Sequence, residues 1–235
     1  MKDLSMNLEN GDLYGLIGPN GAGKTTVFNL ITGVYTPDSG SIRLEDRTIQ
    51  GMKPSHIATL GISRTFQNIR LFQSMTVLEN VKLARHMRKK QGLIDAIVRS
   101  KILQTEEAEI ENDSLELLKI FHLDHQAFEL ASSLPYGSQR RLEIARALAT
   151  KPKVLLLDEP AAGMNPQEAL DLMHLIQWIR NEFRLTILLV EHNMKVVMGV
   201  CEKVQVIDYG ETIALGAPAE IQDNPTVIEA YLGGA

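Results

Sequence analysis

The stretch Gly18-Pro19-Asn20-Gly21-Ala22-Gly23-Lys24-Thr25-Thr26 restricts the possible folds more than any other part of this chain. An apolar segment, Leu13 to Ile17, leads into it and reads as a short strand. An amphipathic segment, Thr25 to Thr32, leaves it and reads as a helix. Between a strand and a helix, Gly18-x-x-x-x-Gly23-Lys24-Thr25 is the P-loop pattern, and each residue type has a mechanical reason to be there. Glycines let the backbone close around a phosphate and turn successive N–H groups inward. The helix N-terminus adds partial positive charge. Lys24 supplies an ammonium for the β- and γ-phosphates, and the Thr25 hydroxyl is placed to ligate Mg²⁺. The expected ligand is a nucleoside triphosphate.

Other classes are excluded by charge and patterning. A net charge of −5 and a pI near 5.7 lack the basic footprint of a nucleic-acid binder. No apolar run approaches the roughly 20 residues that span a bilayer, and the first residues carry no apolar signal segment. Cys201 is the single cysteine, so no internal disulfide forms, which suits a reducing compartment.

In chain order, residues 4 to 17 read as two strands joined by Asn10-Gly11-Asp12. Ser41 to Glu45 reads as a strand, Pro54 to Leu60 as a helix, and Gly61 to Phe66 as a strand that delivers Gln67. Thr76-Val77-Leu78-Glu79 is a capping box that opens a helix to about Met87. From Lys82 to about Ala131 the character turns helical. Basic residues (Arg85, Arg88, Lys89, Lys90) are followed by acidic ones (Glu106, Glu107, Glu109, Glu111), read as solvated faces. His122 and His125 read as a surface pair, with no third metal ligand nearby. Beyond Leu134 the parallel-sheet pattern returns: Val154 to Leu157 ends in Asp158-Glu159, and Thr186 to Val190 ends in Glu191-His192. Asn165 caps a helix whose first residue is Pro166 and which runs to about Phe183. Lys203 to Leu215 reads as a hairpin, followed by short helices.

Ligands of open α/β sheets bind at the carboxyl ends of strands, so Asp158 and Glu159 are expected beside the phosphates. Asp158 would hold the magnesium shell, and Glu159 would act as general base toward a water. Leu134-Pro135-Tyr136-Gly137-Ser138-Gln139-Arg140-Arg141-Leu142-Glu143, a turn becoming a helix at about Gln139, resembles the signature motif of ABC-type ATPases. Taken with the P-loop, Gln67, Asp158-Glu159 and His192 in that order, it identifies the chain as similar to that family throughout. The segments Arg64 to Phe72, Tyr136-Gly137, Asp158 to Pro166 and Ala230-Tyr231-Leu232-Gly233 look most like ATP-binding subunits of branched-chain amino-acid importers. ATPase subunits of lipopolysaccharide export are a near neighbour and the second transport reading, and a soluble ATPase with the same engine is the reading from another class.

That resemblance implies an α/β P-loop NTPase with a mostly parallel central sheet, a small antiparallel β subdomain and an inserted α-helical lobe. It implies a single domain over 1–235, with a nucleotide core from 1–75 and 150–235 and a helical signature lobe at 76–149. ATP would bind residues 18–26 of one chain and Tyr136, Gly137, Ser138 and Gln139 of a second, identical or related chain placed head to tail. Glu159, His192 and Gln67 would be catalytic; Thr25, Gln67 and Asp158 would hold Mg²⁺. Asn68 to Phe72 would line a groove for a membrane permease, which puts the chain on the cytoplasmic face of the membrane, bound to no nucleic acid. Three departures stand out: Tyr136 replaces the family's serine, Ser138 its usual glycine, and Asn165 its D-loop aspartate. The resemblance also implies an upstream aromatic stacked on adenine, and nothing before Leu13 supplies one. The start looks late, and weakened adenine binding with an intact phosphate grip is the expectation.

Overall fold

Runs of Leu, Ile and Val with no polar alternation can bury both faces only between layers of helices, and that burial builds the central sheet. The structure, a computed structural model, describes residues 1–86 and 101–232, with side chains from 106 onward in the second stretch. Arg88, Lys89, Lys90, the expected helix end at Met87 and Gly233 lie outside the described residues. The chain divides into two compact units, Met1–Gln67 with Pro152–Ala235, and Asn68–Lys151.

The first unit begins with β1 (Leu13–Ile17), buried at every residue, and α1 (Lys24–Ile31). β2 (Arg43–Leu44) and β3 (Arg47–Thr48) form a small antiparallel sheet before α2 (Pro54–Leu60) and β4 (Ile62–Arg64). The second unit is helical: α3 (Val77–His86), α4 (Lys101–Ile120) and α5 (Tyr136–Ala149). The first unit then resumes with β5 (Val154–Asp158), α6 (Pro166–Phe183), β6 (Thr186–Val190) and α7 (Met194–Val200). It ends in β7 (Lys203–Asp208), β8 (Glu211–Gly216), α8 (Pro218–Gln222) and α9 (Pro225–Leu232). The main sheet runs β4-β5-β6-β1-β7-β8, parallel except for the β7–β8 hairpin. It is the expected α/β architecture. Phe28 and Val27 from α1 and Ile57 from α2 pack on Leu16, Leu156 and Leu188 in its core.

Capping chemistry sets several boundaries. The Thr76 N–H donates to Glu79 Oε2 at 2.7 Å while the Glu79 N–H donates to Thr76 Oγ1 at 3.2 Å, which fixes the start of α3. Asn165 and Glu168 repeat the arrangement for α6, with Pro166 in its first turn. In the second unit, Lys82 on α3 pairs with Glu107 and Glu111 on α4 at 2.7 and 2.9 Å, so the acidic block is partly an inter-helix clamp.

Three expectations are corrected. Residues 4 to 8 form no strand: Leu4, Met6 and Leu8 pack against the core at period two, but their backbone joins no ladder. Residues 41 to 45 shorten to Arg43–Leu44. The signature helix begins at Tyr136 and not at Gln139, because Pro135, with an extended ψ of 153°, already serves as its N-cap. The two units divide after Gln67. Asn80 of α3 holds the loop at Phe72 by accepting from its N–H at 3.0 Å and donating to its carbonyl at 3.1 Å.

Candidate active site

The loop after β1 is possible only with glycine. A Cβ on Gly18 would stand 2.0 Å from the Ile207 carbonyl oxygen, and Gly23, at φ 108°, caps α1 in the left-handed region. The Lys24 ammonium donates to the Gly18 and Pro19 carbonyls at 2.6 and 2.9 Å, inside its own loop. Burial pushes its pKa below the ordinary lysine range, and the nearby charges of Glu159 and Asp158 pull it back up. Ala22 is buried, Thr26 half-buried, and Asn20, Gly21 and Thr25 are exposed at the loop's rim.

Neighbouring strands end beside this loop and deliver the acids. Asp158 is the last residue of β5, with its N–H bonded to Thr65 Oγ1, and Glu159 follows at φ 47°. A left-handed backbone at a non-glycine residue is costly and collects at functional positions. Glu159 is 9% exposed, and its carboxylate faces two groups from adjacent strand ends. Gln67 Nε2 donates to Oε2 at 2.9 Å, and His192 Nε2 closes on Oε1. The structure thus brings Gln67, Glu159 and His192 together from three separate segments, within the field of Lys24.

Two residues in this cluster were missed by the sequence reading. Arg64 donates to Asp158 Oδ2 at 2.8 Å and to Asn29 Oδ1 at 2.7 Å, between the rings of Phe28 and Phe66 at 5.1 and 5.0 Å. Its signal was present: an arginine inside a buried strand needs a counter-charge. Glu191 accepts from the Ala161 N–H at 2.8 Å and the His192 N–H at 3.2 Å, bracing the turn after Glu159 against the segment that carries His192. Burial pushes its carboxyl pKa up.

The donors suit one kind of metal. No group of three His, Cys, Asp or Glu stands together among the described residues, so an all-protein cage is absent there. Asp158, Thr25 and Gln67 offer hard oxygen atoms from three segments, the set for an ion that keeps waters and phosphate oxygens as its remaining ligands.

Tyr136, Gly137, Ser138 and Gln139 belong to the second unit and form the first turn of α5, which contains no acidic side chain. Its leading amides and helix dipole suit an anion. The Tyr136 hydroxyl accepts from Arg140 Nη2 at 3.1 Å. Arg140 is fully buried and pairs with Glu143 at 2.9 Å, and Glu143 accepts the Arg70 N–H at 3.1 Å. Phe72, in the same loop as Arg70, is 46% exposed beside Arg146. His122 and His125 are exposed.

Comparison with known proteins adds the following. Residues 1–162 match the family model described as ABC transporter, and residues 211–235 match one described as branched-chain amino acid ATP-binding cassette transporter. The chain is 46% identical over 235 residues to the high-affinity branched-chain amino acid transport ATP-binding protein LivG of Salmonella typhimurium, covering all of this chain and 92% of that one. It is 35% identical over 234 residues to the lipopolysaccharide export system ATP-binding protein LptB of Escherichia coli, covering 99% and 90%. Among solved structures, the ADP conformation of MJ1267, an ATP-binding cassette of an ABC transporter, superposes with a TM-score of 0.83 at 32% identity, covering 98% and 91%. A dimeric post-hydrolysis state of the cassette MJ0796 bound to ADP and Pi gives 0.76 at 25% identity, covering 91% and 88%.

Proposed function

The chain belongs to the ABC transporter family, and from that premise we propose that it is the ATP-hydrolysing subunit of an importer of branched-chain amino acids. One observation carries the catalytic part: a buried glutamate at a left-handed backbone position, gripped by Gln67 and His192 beside the P-loop lysine. Glu159 is the general base that takes a proton from the attacking water. His192 orients that carboxylate and faces the γ-phosphate. Gln67 lies where the first unit ends, so it reports the occupied site to the helical unit. The residues of 18–26 bind the phosphates, with Lys24 turning from its own carbonyls to their oxygens. Thr25, Asp158 and Gln67 would hold Mg²⁺, which supplies charge neutralisation at the β- and γ-phosphates when bound.

A second copy or a related chain completes each site head to tail, presenting the first turn of its α5 to the γ-phosphate. That anion strengthens the pair by mass action, and its loss releases it. The solved MJ0796 dimer supports such a pairing. The loop with Ile69, Leu71 and the exposed Phe72 receives a permease subunit, for an apolar edge in that position needs a cover. No helix among the described residues is long and apolar enough to cross a membrane. The likeness to transport ATP-binding proteins supports a peripheral chain on the cytoplasmic side, with the permease supplying the channel. Import is favoured over export by the match of residues 211–235 to the branched-chain family and by the higher identity to LivG.

Glu159→Gln tests the base. Steady-state phosphate release should fall about a hundred-fold or more while ATP still draws two chains together in sedimentation. Undiminished turnover in that variant overturns the assignment.

A further inference from the structure

We propose that Tyr209, on the turn between β7 and β8, is a nucleobase-stacking residue of this site; the inference rests on the nucleotide reading above.

The strand order sets the direction of the ligand. The groups that face the γ-phosphate come from the ends of β4, β5 and β6, all on one side of β1 in the sheet. A triphosphate lying along the P-loop with its γ end toward Glu159 directs its α-phosphate and nucleoside the other way, toward β7 and β8. The turn waiting there is fastened to the P-loop along its length. Ile207 presses its carbonyl against Gly18, so closely that a Cβ there would sit 2.0 Å away. The Gly210 N–H donates to the Ala22 carbonyl at 2.9 Å, and Gly210 Cα lies 3.8 Å from where a Cβ on Gly23 would stand. Tyr209 lies between those two anchor points, so its backbone is referenced to the phosphate site on both sides.

The side chain is unusual for its position. Tyr209 is 85% exposed and its φ is 43°, a left-handed conformation that glycine or asparagine adopts at far lower cost. The Asp208 carboxylate accepts the Tyr209 N–H at 3.0 Å and holds the turn in that shape. A ring kept in solvent on a strained and anchored backbone offers a flat apolar face to a base, and stacking of this type tolerates either purine.

The test compares the wild-type chain with Tyr209→Asn, which removes the ring with a residue suited to positive φ, and Tyr209→Phe, which keeps it. Each is titrated calorimetrically with ATP and with inorganic tripolyphosphate, and Lys24→Ala serves as the phosphate-site control. The expected result is about ten-fold weaker ATP binding by Tyr209→Asn, near-wild-type binding by Tyr209→Phe, and no change in tripolyphosphate binding for either. Equal ATP affinity in Tyr209→Asn and wild type overturns the stacking role, as does a parallel loss of ATP and tripolyphosphate. ATP binding that is absent in wild type, or unchanged in Lys24→Ala, instead overturns the nucleotide reading, and the stacking role falls with it.

Discussion

Among the described residues, each unit buries an arginine against a carboxylate, and the two pairs are built for different ends. Arg140 and Glu143 lie one turn apart on a single helix, at 0% and 1% side-chain exposure. Further contacts of that pair include Tyr136 on the same helix and the Arg70 amide in the neighbouring loop. Burial still pushes the Glu143 carboxyl pKa up against the opposing pull of Arg140. Arg64 and Asp158 come from two different strands, at 7% and 6%, and their carboxylate stands at the carboxyl end of β5, within the field of Lys24. The first pair is a brace between helix and loop. The second aims the proposed magnesium ligand while aromatic rings and Asn29 hold the arginine still. Burial alone therefore does not distinguish structural from functional charge; what surrounds the acid does.

The difference can be broken by removing each cation in turn. Arg140→Met leaves Glu143 buried with the Arg70 N–H and the charge of Arg146 in place of its ion pair, and should cost about 3–5 kcal/mol in urea unfolding. Arg140→Met with Glu143→Leu should recover most of that loss, because a well-packed apolar pair replaces a buried ionic one at little net cost. If the double variant is as unstable as the single one, the pair is no simple brace. Arg64→Met should cost less, about 2 kcal/mol, since Asp158 keeps the nearby Lys24 ammonium. Its ATPase rate should fall disproportionately, so the ratio of rate loss to stability loss separates the two pairs. A rate that follows stability equally in both variants removes the distinction.

Glu191 sharpens the comparison because backbone N–H groups hold it in place of an arginine. Its carboxyl pKa is raised by burial in the folded state. The folded protein therefore binds that proton more tightly than the unfolded chain. The resulting stabilisation is complete below the unfolded carboxylate range and is lost as pH rises through the elevated folded value. Glu191→Gln, unable to ionise, should show a shallower decline in unfolding free energy over that interval, with a difference of about 1 kcal/mol at neutral pH. Parallel pH profiles for the two proteins would contradict the assignment.

Much of this was legible beforehand because the determining interactions are local. Gly18 to Thr26, the capping boxes at Thr76 and Asn165, and the apolar runs ending in Asp158-Glu159 and Glu191-His192 depend on residues a few positions apart. The start of α5 was misjudged because Pro135 acts as a cap without a side-chain hydrogen bond, so no capping residue announced it. The strand expected over residues 4 to 8 failed for another reason: its alternating pattern reports packing, while a ladder needs a partner edge that the sequence does not display.

By itself the sequence determined which chemical groups exist and in what order they reach the ends of their elements, since propensity, capping and glycine conformations act over one turn or one strand. The tertiary structure decided which of them meet. Only strand order brings Gln67, Glu159 and His192 onto one carboxylate, sets Arg64 against Asp158 and carries Tyr209 to the P-loop's far side. Those encounters join residues dozens of positions apart, and their free energy comes from burying apolar strands between helices, a quantity that no local pattern contains.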